Sequence, residues 1–290
     1  SSATVTVVHY DFPQGEIALK VNGKPDASSK GDLSTQLLLA HIPLLLQPDS
    51  RRVLNIGLGS GITANAALTH DIETLDVIEI SPAVAKASEL FAEYNDNLHE
   101  NPKMDLHIQD AKIFMNQVKE PYDVIISEPS NPWVAGIANL FSVEFYEQAA
   151  AVLSPNGIMA QWIHSYEMDD DTFALILRTY LSAFKHVSIW AVHQSDFILL
   201  GSNNPIELDF GRLENEIEAP KLQASLKKIG ATKLNTLLST QLAGTRTSKI
   251  LAGTGVRNTD DHLILEYIAP RTFYAAKRVS KIWEYDERKS

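Results

Sequence analysis

The central part of the chain alternates short apolar runs with longer stretches of helical periodicity. Strands that are apolar at every position are covered on both faces of a sheet, and their alternation with helices predicts parallel strands joined by right-handed crossovers. We therefore predict an α/β fold with a doubly wound, Rossmann-like sheet. The predicted strands are 52–57, 74–80, 104–109, 122–127 and 157–163, and the predicted helices are 62–69, 83–94, 111–118, 143–153 and 172–183.

Local signals mark the ends of these elements. Ser81 can accept a free backbone N–H at a helix start, and the following Pro82 suits the first helical position because it has no N–H to satisfy. Ser142 is placed to cap the fourth helix in the same way. Asp169–Asp171 precede the last predicted helix, where negative charge is favourable. The runs 187–192 and 197–201 are predicted to close the sheet as a hairpin.

Two regions differ from this central pattern. Residues 1–48 are predicted to form a β-rich N-terminal subdomain with a lead-in helix, because the dipeptide Asn22-Gly23 is a strong turn signal beside short alternating runs. Residues 49–290 then form the Rossmann-like domain, with a helical extension at about 203–258 that lacks strand patterning. The finer predictions are strands 4–8 and 17–21, helices 208–229 (broken or kinked at Pro220) and 234–242, and an edge strand at 263–268.

Composition excludes several classes of protein. The 290 residues contain no cysteine, which removes disulfides and thiol chemistry and fits a reducing, cytoplasmic location. Asp and Glu number 36 against 25 Lys and Arg, and no basic stripe is visible, so we expect no nucleic-acid partner. The leucine-rich stretch 33–48 is shorter than the ~20 residues of a spanning helix, and Pro43 interrupts it, so we expect no direct membrane insertion. The histidines show no metal-ligand spacing, and we predict no metal.

A glycine-rich loop follows the first predicted strand and opens a helix. Gly57, Gly59 and Gly61 allow a sharp turn and close approach of a ligand to the backbone. Glu79 lies about 20 residues on, at the end of the second strand, where a carboxylate reaches ribose hydroxyls. Asp110 ends the third strand. Because the carboxyl ends of parallel strands share one edge of a sheet, the three features together predict a nucleoside site.

The positions of the glycines in this loop also distinguish between classes of nucleotide and nucleoside cofactor. The dinucleotide fingerprint requires glycine where this chain has Ile62, and the phosphate-cradling G-x-x-x-x-G-K-[ST] pattern is absent. The Gly-x-Gly-x-Gly loop with acids after strands two and three resembles the class I S-adenosylmethionine-dependent methyltransferase fold. That ligand carries no phosphate, which agrees with a site bordered by Glu79 and Asp110.

The fourth strand leads directly into the loop Glu128-Pro129-Ser130-Asn131-Pro132-Trp133. Two prolines stiffen it, and its position places Glu128 and Asn131 over the same crevice. Alkyl amines have a pKa near ~10.4, so an amine substrate needs an anion to bind it and a base to make it nucleophilic. Glu128 is the candidate for that base. The alternative is a proline-rich turn in which Asn131 caps its own backbone.

With these motifs the chain resembles the polyamine aminopropyltransferases, the spermidine and spermine synthases, over most of residues 1–202. It is most similar to the subgroup often fused to transporter-like membrane segments, which implies that it is part of a longer membrane-attached protein. The motifs that carry the resemblance are the Asn22-Gly23 turn, residues 36–43, the glycine loop, residues 77–80, Asp110, residues 122–132, residues 140–141, residues 157–161 and, for the subgroup, residues 131–141 and 258–271.

The resemblance implies roles for individual residues. The co-substrate would be decarboxylated S-adenosylmethionine or a close relative, and the acceptor a small amine. Glu128 would be the base, and Ser130, Asn131 and Gln161 would contact the acceptor. Apart from the resemblance, His164 follows the fifth predicted strand and faces the same crevice, so it is a further candidate for contact with the substrate. The implied co-substrate residues are Gln36, which would also touch the amine, Gly57, Gly59, Ser60 and Gly61 at the sulfonium end, Glu79 at the ribose, and Asp110 with Ala111 at the adenine.

Four departures from the family pattern concern the binding of cations. Ser60 and Asn131 replace aspartates, Thr35 replaces a tyrosine, and Trp190-Ala191 stands near an expected Tyr-Pro pair. Each change removes an anchor for a cation, and one charged hydrogen bond is worth ~1.5–3 kcal/mol. The substrate is therefore less well defined by the resemblance than the nucleoside.

Two other groups of side chains have ordinary structural explanations. Trp133, Trp162 and Trp190 could wall a pocket, although large aromatic residues near a sheet are commonly core. His41 lies on an apolar helix and is predicted to be a core residue with satisfied hydrogen bonds.

Three hypotheses of function remain open. The first is an aminopropyltransferase that releases methylthioadenosine and that could act as a homodimer. The second is an S-adenosylmethionine-dependent methyltransferase, because the neutral Ser60 suits the intact methionine carboxylate. The third is a catalytically silent nucleoside-binding module attached to a membrane part. The reaction product distinguishes the three hypotheses. Methylthioadenosine favours the first, S-adenosylhomocysteine favours the second, and the absence of either product favours the third.

Overall fold

Two sheets organise the computed structural model, which describes residues 4–11, 15–132, 134, 136–193, 195–274 and 277–289. The strands are β1 (Val5–Tyr10), β2 (Glu16–Val21), β3 (Lys24–Ser28), β4 (Arg52–Ile56), β5 (Thr74–Glu79), β6 (Met104–Ile108), β7 (Tyr122–Ser127), β8 (Leu153–His164), β9 (His186–His193), β10 (Asp196–Ser202) and β11 (Gln241–Ala243). The α-helices are α1 (Leu33–Leu46), α2 (Ile62–Ala67), α3 (Pro82–Ser88), α4 (Ala92–Asn95), α5 (Ala111–Met115), α6 (Val143–Ala151), α7 (Asp170–Ala183), α8 (Phe210–Ile217), α9 (Pro220–Lys227), α10 (Leu234–Leu238), α11 (Thr245–Ala252) and α12 (Ile264–Tyr274).

The large sheet has eight strands in the order β11-β9-β10-β8-β7-β4-β5-β6. Strands β4 to β8 are parallel to their neighbours within that group, whereas β10 is antiparallel to β8 and to β9. This arrangement confirms the predicted doubly wound sheet and its closing hairpin. The carboxyl ends of β4–β8 therefore share one edge, here called the carboxyl edge. Because β10 runs the other way, its first residue, Asp196, lies at that same edge opposite His164.

Helices cover both faces of this sheet. Val124 and Ile126 of β7 belong to one buried cluster and Ile125 to the other, as expected where side chains alternate along a strand. Helix α1 is buried continuously from Thr35 to Leu46 and continues through Pro43. Within the described ranges, no helix combines the length and apolar character that crossing a bilayer requires.

Three predicted helix caps are confirmed. The Ser81 hydroxyl accepts the Val84 N–H at the start of α3, and the Ser142 hydroxyl accepts the Phe145 N–H at the start of α6. The Asp169 carboxylate accepts the Thr172 N–H of α7 at 2.9 Å, so capping accounts for this acid. Each bond satisfies one of the backbone donors that a helix start leaves free.

The N-terminal sheet is a three-stranded antiparallel meander of β1, β2 and β3. Asn22 and Gly23 form the predicted turn with φ of 52° and 83°. The third strand was not predicted, because its sequence, Lys-Pro-Asp-Ala-Ser, lacks the β-branched and aromatic residues typical of strands. It is an edge strand, where proline is tolerated.

Three local predictions are wrong. Residues 263–268 were expected to form an edge strand but begin helix α12, where Leu265 and Ala269 are both buried at a spacing of four residues. The predicted helix 234–242 ends at Leu238, and β11 pairs with β9 within a region expected to lack strands. A three-residue strand is too short to leave a visible pattern. The strand predicted at 157–163 is longer than expected, because β8 begins at Leu153, and its register against β7 shifts near its start.

Candidate functional site

A cavity of about 770 Å³ opens at the carboxyl edge. Its walls come from the N-terminal sheet, the start of α1, the loops after β4 to β8, and the β9–β10 turn. The predicted site residues that line it are Gln36, Gly57, Gly59, Ser60, Glu79, Asp110, Ala111, Glu128, Ser130 and Asn131. The topology thus brings ten of the thirteen predicted residues together.

The glycine loop is shaped by close backbone contacts. Gly57 has φ of 90°, and a Cβ at this position would lie 2.4 Å from the Glu128 carbonyl oxygen. No side chain fits there without a shift of the chain. Gly61 also has positive φ but faces Leu98 and Asn95, behind the loop. Gly61 does not line the cavity, so a glycine is required at this position for packing against Leu98 and Asn95 rather than for contact with a ligand.

Glu79 joins the glycine loop to the next loop of the carboxyl edge. Its two carboxylate oxygens accept the Leu58 N–H at 3.1 Å and the Ser81 N–H at 2.7 Å. Burial raises the pKa of Glu79, and these backbone bonds oppose that effect. Nearby, Asp110 caps α5 by accepting the Ile113 N–H at 3.0 Å. Both carboxylates are therefore held in fixed orientations at the end of the cavity predicted to take the nucleoside.

Ser60 and Gln36 are bound to each other. The Ser60 hydroxyl donates to the Gln36 side-chain oxygen, and the Gln36 amide donates to the Ser28 carbonyl at 2.8 Å. This chain of bonds ties the glycine loop to α1 and to β3. The side-chain polar atoms of Ser60 and Gln36 are therefore already hydrogen-bonded within the protein.

Glu128 directly follows β7 and is the most perturbed acid of the cavity. Its backbone N–H donates to the Ile56 carbonyl, and its carboxylate accepts the Thr63 hydroxyl at 2.6 Å. Burial raises its pKa to about 8, with further contributions from Asp32, Asp26 and Asp196, while the Thr63 bond lowers it. A carboxylate with a pKa near the working pH is suited to accept a proton during catalysis.

The rest of the loop after Glu128 faces the same space. Ser130 lies close enough to Asp26 to lower the pKa of that carboxyl group, and buried Asn131 accepts a weak hydrogen bond from the Tyr166 hydroxyl at 3.4 Å. Trp133, proposed as a pocket wall, lies outside the described residues. Of the other two tryptophans, Trp162 lines the cavity, whereas Trp190 belongs to the buried core.

Three aspartates of the cavity were missed by the sequence analysis. Asp26 lies on β3, Asp32 precedes α1, and Asp196 begins β10. Burial raises the pKa of each of them, and the Thr35 hydroxyl donates to Asp196 at 2.8 Å. His193 lies 3.9 Å from Asp196. With Glu128, these residues place four acids in the cavity lining, of which Asp196 is buried and the other three are partly buried.

Two residues expected to contact substrate lie behind the cavity wall. Gln161 is fully buried in the middle of the sheet, where its amide donates to the Trp162 carbonyl. His164 is also fully buried, because Asp196 pairs beside it and the Tyr166 ring packs edge-on at 4.7 Å. Burial lowers the pKa of His164 to about 3, so it is neutral at physiological pH.

His41 is a buried core residue, as predicted. Its ring nitrogens lie 3.0 Å from His70 Nε2 and 2.8 Å from the Ser225 hydroxyl. A separate group, Asp76, Asp105 and His107, places potential metal-ligand atoms within 4.8 Å of one another. Asp76 already lies 2.8 Å from His107 and accepts the Tyr122 hydroxyl at 2.7 Å, so an ordinary hydrogen-bonded pair explains this cluster.

The chain has a methyltransferase-like fold, and its cavity at the carboxyl edge combines the glycine loop with several acidic side chains. A human methyltransferase-like protein solved with SAH shares the fold at a TM-score of 0.50, with 18% identity over 67% of this chain and 90% of that one. The spermine/spermidine synthase domain model matches residues 33–194, more than half of the sequence. The chain belongs to the spermine/spermidine synthase family.

Individual relatives agree with this assignment. A spermidine synthase from Dictyostelium discoideum is 32% identical over 152 residues, which is 50% of this chain and 53% of that protein. A polyamine aminopropyltransferase from Methanocaldococcus jannaschii is 29% identical over 224 residues, 72% and 73% of the two chains. A spermidine synthase solved with the transition-state analogue AdoDATO has a TM-score of 0.61 and 19% identity, covering 79% of this chain and 85% of that one. The match thus spans about half the length of the first of these relatives and nearly three quarters of the second.

Proposed function

We propose that this protein is a polyamine aminopropyltransferase, which moves the aminopropyl group of decarboxylated S-adenosylmethionine to an amine acceptor. The names of its relatives favour this activity, and so does one feature of the site. A single cavity joins an end suited to a nucleoside, with the glycine loop, Glu79 and Asp110, to an end rich in carboxylates. Several carboxylates in one cavity attract ligands that carry several ammonium groups, which supports a diamine or longer polyamine as acceptor.

The reaction requires one nucleophilic displacement. The neutral acceptor nitrogen forms a bond to the carbon beside the sulfonium, the carbon–sulfur bond breaks, and its electron pair stays on sulfur as methylthioadenosine leaves. One proton must then leave the new secondary ammonium or the incoming amine. Glu128, at the junction of the two ends, is our candidate to accept it. Most of the rate enhancement would come from holding the two reactants in line.

Glu128 is tuned for this task by its surroundings. Its pKa of about 8 leaves the carboxyl group largely protonated at neutral pH. A cationic acceptor beside it lowers that pKa, because a nearby positive charge favours the ionised form. Binding of the ammonium substrate would therefore generate the base that deprotonates it.

The activity is tested by incubating the purified protein with decarboxylated S-adenosylmethionine and a panel of diamines and polyamines. We expect methylthioadenosine and an acceptor heavier by one aminopropyl group, detected by mass spectrometry. The neutral Ser60 motivates a methyltransferase as the second candidate, so a parallel reaction contains intact S-adenosylmethionine. S-adenosylhomocysteine as the product there would favour methyl transfer. Nucleoside binding without either product would favour a silent binding module.

A further inference from the structure

Residues 136–141 form one wall of the cavity and are here called the wall segment. Most of the segment is a short 3₁₀ helix, Ile137–Phe141, which comes just before α6. Ile137 and Leu140 pack against the same apolar cluster as Ala111, which begins α5 beside Asp110. The wall segment therefore belongs to the end of the cavity that is predicted to take the nucleoside. Its cavity-lining residues are Gly136, Ile137, Asn139 and Leu140.

Asn258, more than a hundred residues further along the chain, holds the backbone of the wall segment. Its side chain is fully buried, and its amide donates to the Ala138 carbonyl at 2.9 Å and to the Phe141 carbonyl at 3.0 Å. The backbone N–H of Asn258 donates to the Thr179 hydroxyl at 3.0 Å, and its side-chain oxygen accepts the Leu265 N–H at 3.1 Å. Asn258 thus joins the wall segment to α7 and to α12.

Two acids of the same stretch complete the attachment. Glu266 of α12 accepts the Gly136 N–H at 3.1 Å, so the first residue of the wall segment is also held. Asp260 accepts a hydrogen bond from the Lys112 ammonium of α5 at 2.7 Å. Residues 258–266 therefore hold the wall segment at both ends and in its middle, and they pair with the helix that follows Asp110.

These contacts join two motifs that lie far apart in the sequence. The wall segment belongs to residues 131–141 and its attachment to residues 258–271, the two stretches typical of the transporter-fused subgroup. The matched family domain covers residues 33–194, so it contains the wall segment but not the residues that hold it. A binding site whose wall is already in place gains affinity, because the ligand does not have to order that wall itself.

From this geometry we propose that Asn258 and Glu266 are positioning residues for the donor, which fix the wall segment beside its nucleoside. The inference rests on the proposed function and adds that donor affinity depends on a segment beyond the matched domain. Neither residue takes part in the displacement, so their effect should appear in binding of the donor and not in the chemical step. The acceptor end, built around Asp196 and Glu128, should be unaffected.

Glu266 provides the sharper test, because it is only partly buried and two substitutions separate its hydrogen bond from its charge. Glu266→Ala removes the bond to Gly136, whereas the side-chain oxygen in Glu266→Gln can still accept it. We expect Glu266→Ala to bind methylthioadenosine about fivefold or more weakly by calorimetry, and Glu266→Gln to stay within about twofold of wild type. In Glu266→Ala the KM for decarboxylated S-adenosylmethionine should rise by a similar factor, while kcat and the KM for a diamine change less than about twofold.

Glu287→Ala is the matched control. Glu287 accepts the Gly244 N–H at 3.0 Å, which is the same kind of bond, and both residues lie outside the cavity lining. This variant should bind methylthioadenosine like the wild type. Asn258→Ala removes two bonds to the wall segment and should weaken binding more than Glu266→Ala does. If Asn258→Ala does not fold, the comparison of the two Glu266 variants still decides the question.

Several results would overturn the inference. Equal losses in Glu266→Ala and Glu266→Gln would assign the effect to charge instead of the hydrogen bond. A lower free energy of unfolding in Glu266→Ala with unchanged methylthioadenosine affinity would leave Glu266 a purely structural role. A wild-type protein that binds methylthioadenosine but transfers no aminopropyl group would overturn the proposed function alone, because the binding comparison would still stand. A wild-type protein that does not bind methylthioadenosine would overturn both.

Discussion

Replacing Glu128 by glutamine tests the proposed base directly. In the native protein the Glu128 carboxylate accepts the Thr63 hydroxyl at 2.6 Å, and a glutamine oxygen can accept the same bond. The substitution therefore keeps the size and the anchoring of the side chain and removes its capacity to accept a proton. General base catalysis contributes about 10²- to 10⁴-fold, so kcat should fall by about 100-fold or more. The affinity for methylthioadenosine should stay within about threefold.

The pH dependence gives a second, independent signature. With a pKa of about 8, roughly one tenth of Glu128 is ionised at pH 7 in the free enzyme. The wild-type kcat/KM should therefore rise with pH and level off above about pH 8, and Glu128→Gln should lack this limb. The acceptor amine titrates near ~10.4 and adds a limb at higher pH that both proteins share. Thr63→Val removes a bond that favours the carboxylate, so it should move the Glu128 limb to higher pH.

The assay is the initial rate of methylthioadenosine release from about pH 6 to about pH 9, combined with calorimetric binding of methylthioadenosine. Thr63→Val serves as the matched control, because it alters the environment of the base without removing it. The assignment of the base would be refuted by a Glu128→Gln variant with a kcat within about threefold of wild type and the same pH profile.

Three further predictions follow from the geometry. Gly57→Ala should lower the free energy of unfolding by more than the ~1–3 kcal/mol of a strained φ alone, because the alanine Cβ would lie 2.4 Å from the Glu128 carbonyl oxygen. Gly23→Ala is the control, because Gly23 has a similar φ of 83° but open space around it. Equal losses of the two variants in urea unfolding would contradict the role of the close contact. Asp196→Asn should raise the KM for a diamine about tenfold or more and leave the KM for the donor unchanged; an unchanged diamine KM would exclude Asp196 from acceptor binding. Burial lowers the pKa of His70 to about 4 and that of His41 well below its ordinary value. The stability that these neutral histidines contribute above about pH 6.5 should therefore be lost as the pH falls toward about 4. Thermal unfolding measured as a function of pH tests this, and His70→Gln should weaken the pH dependence of the unfolding temperature.

The sequence predicted the parts of the site that follow a general rule of α/β proteins. The glycine loop, Glu79, Asp110 and Glu128 each come directly after a parallel strand, and such strand ends converge on one edge. Their apolar strands and serine caps were recognisable locally. The convergence of these residues therefore follows from the order of strands and helices along the chain.

The acidic residues that complete the cavity could not be found in this way. Asp26 arrives through docking of the N-terminal sheet, and Asp196 reaches the carboxyl edge because β10 runs antiparallel and begins there. Neither placement has a signal in the local sequence. The same limitation explains His164, which ends a parallel strand as predicted but is covered by its neighbours Asp196 and Tyr166.

The electrostatics of the cavity oppose folding near neutral pH. Burial raises the pKa of five of its carboxyl groups, namely Asp26, Asp32, Glu79, Glu128 and Asp196. An acid whose folded pKa exceeds its unfolded value contributes stability at low pH and loses it as the pH rises through the unfolded pKa toward the folded one. Near neutral pH these carboxyl groups therefore destabilise the fold. Their contribution to stability falls as the pH rises, whereas that of the buried histidines rises. Departures of this kind from local consistency are expected at functional sites. A ligand with several ammonium groups removes the conflict, which is why a binding site for cations explains these acids better than any role in folding.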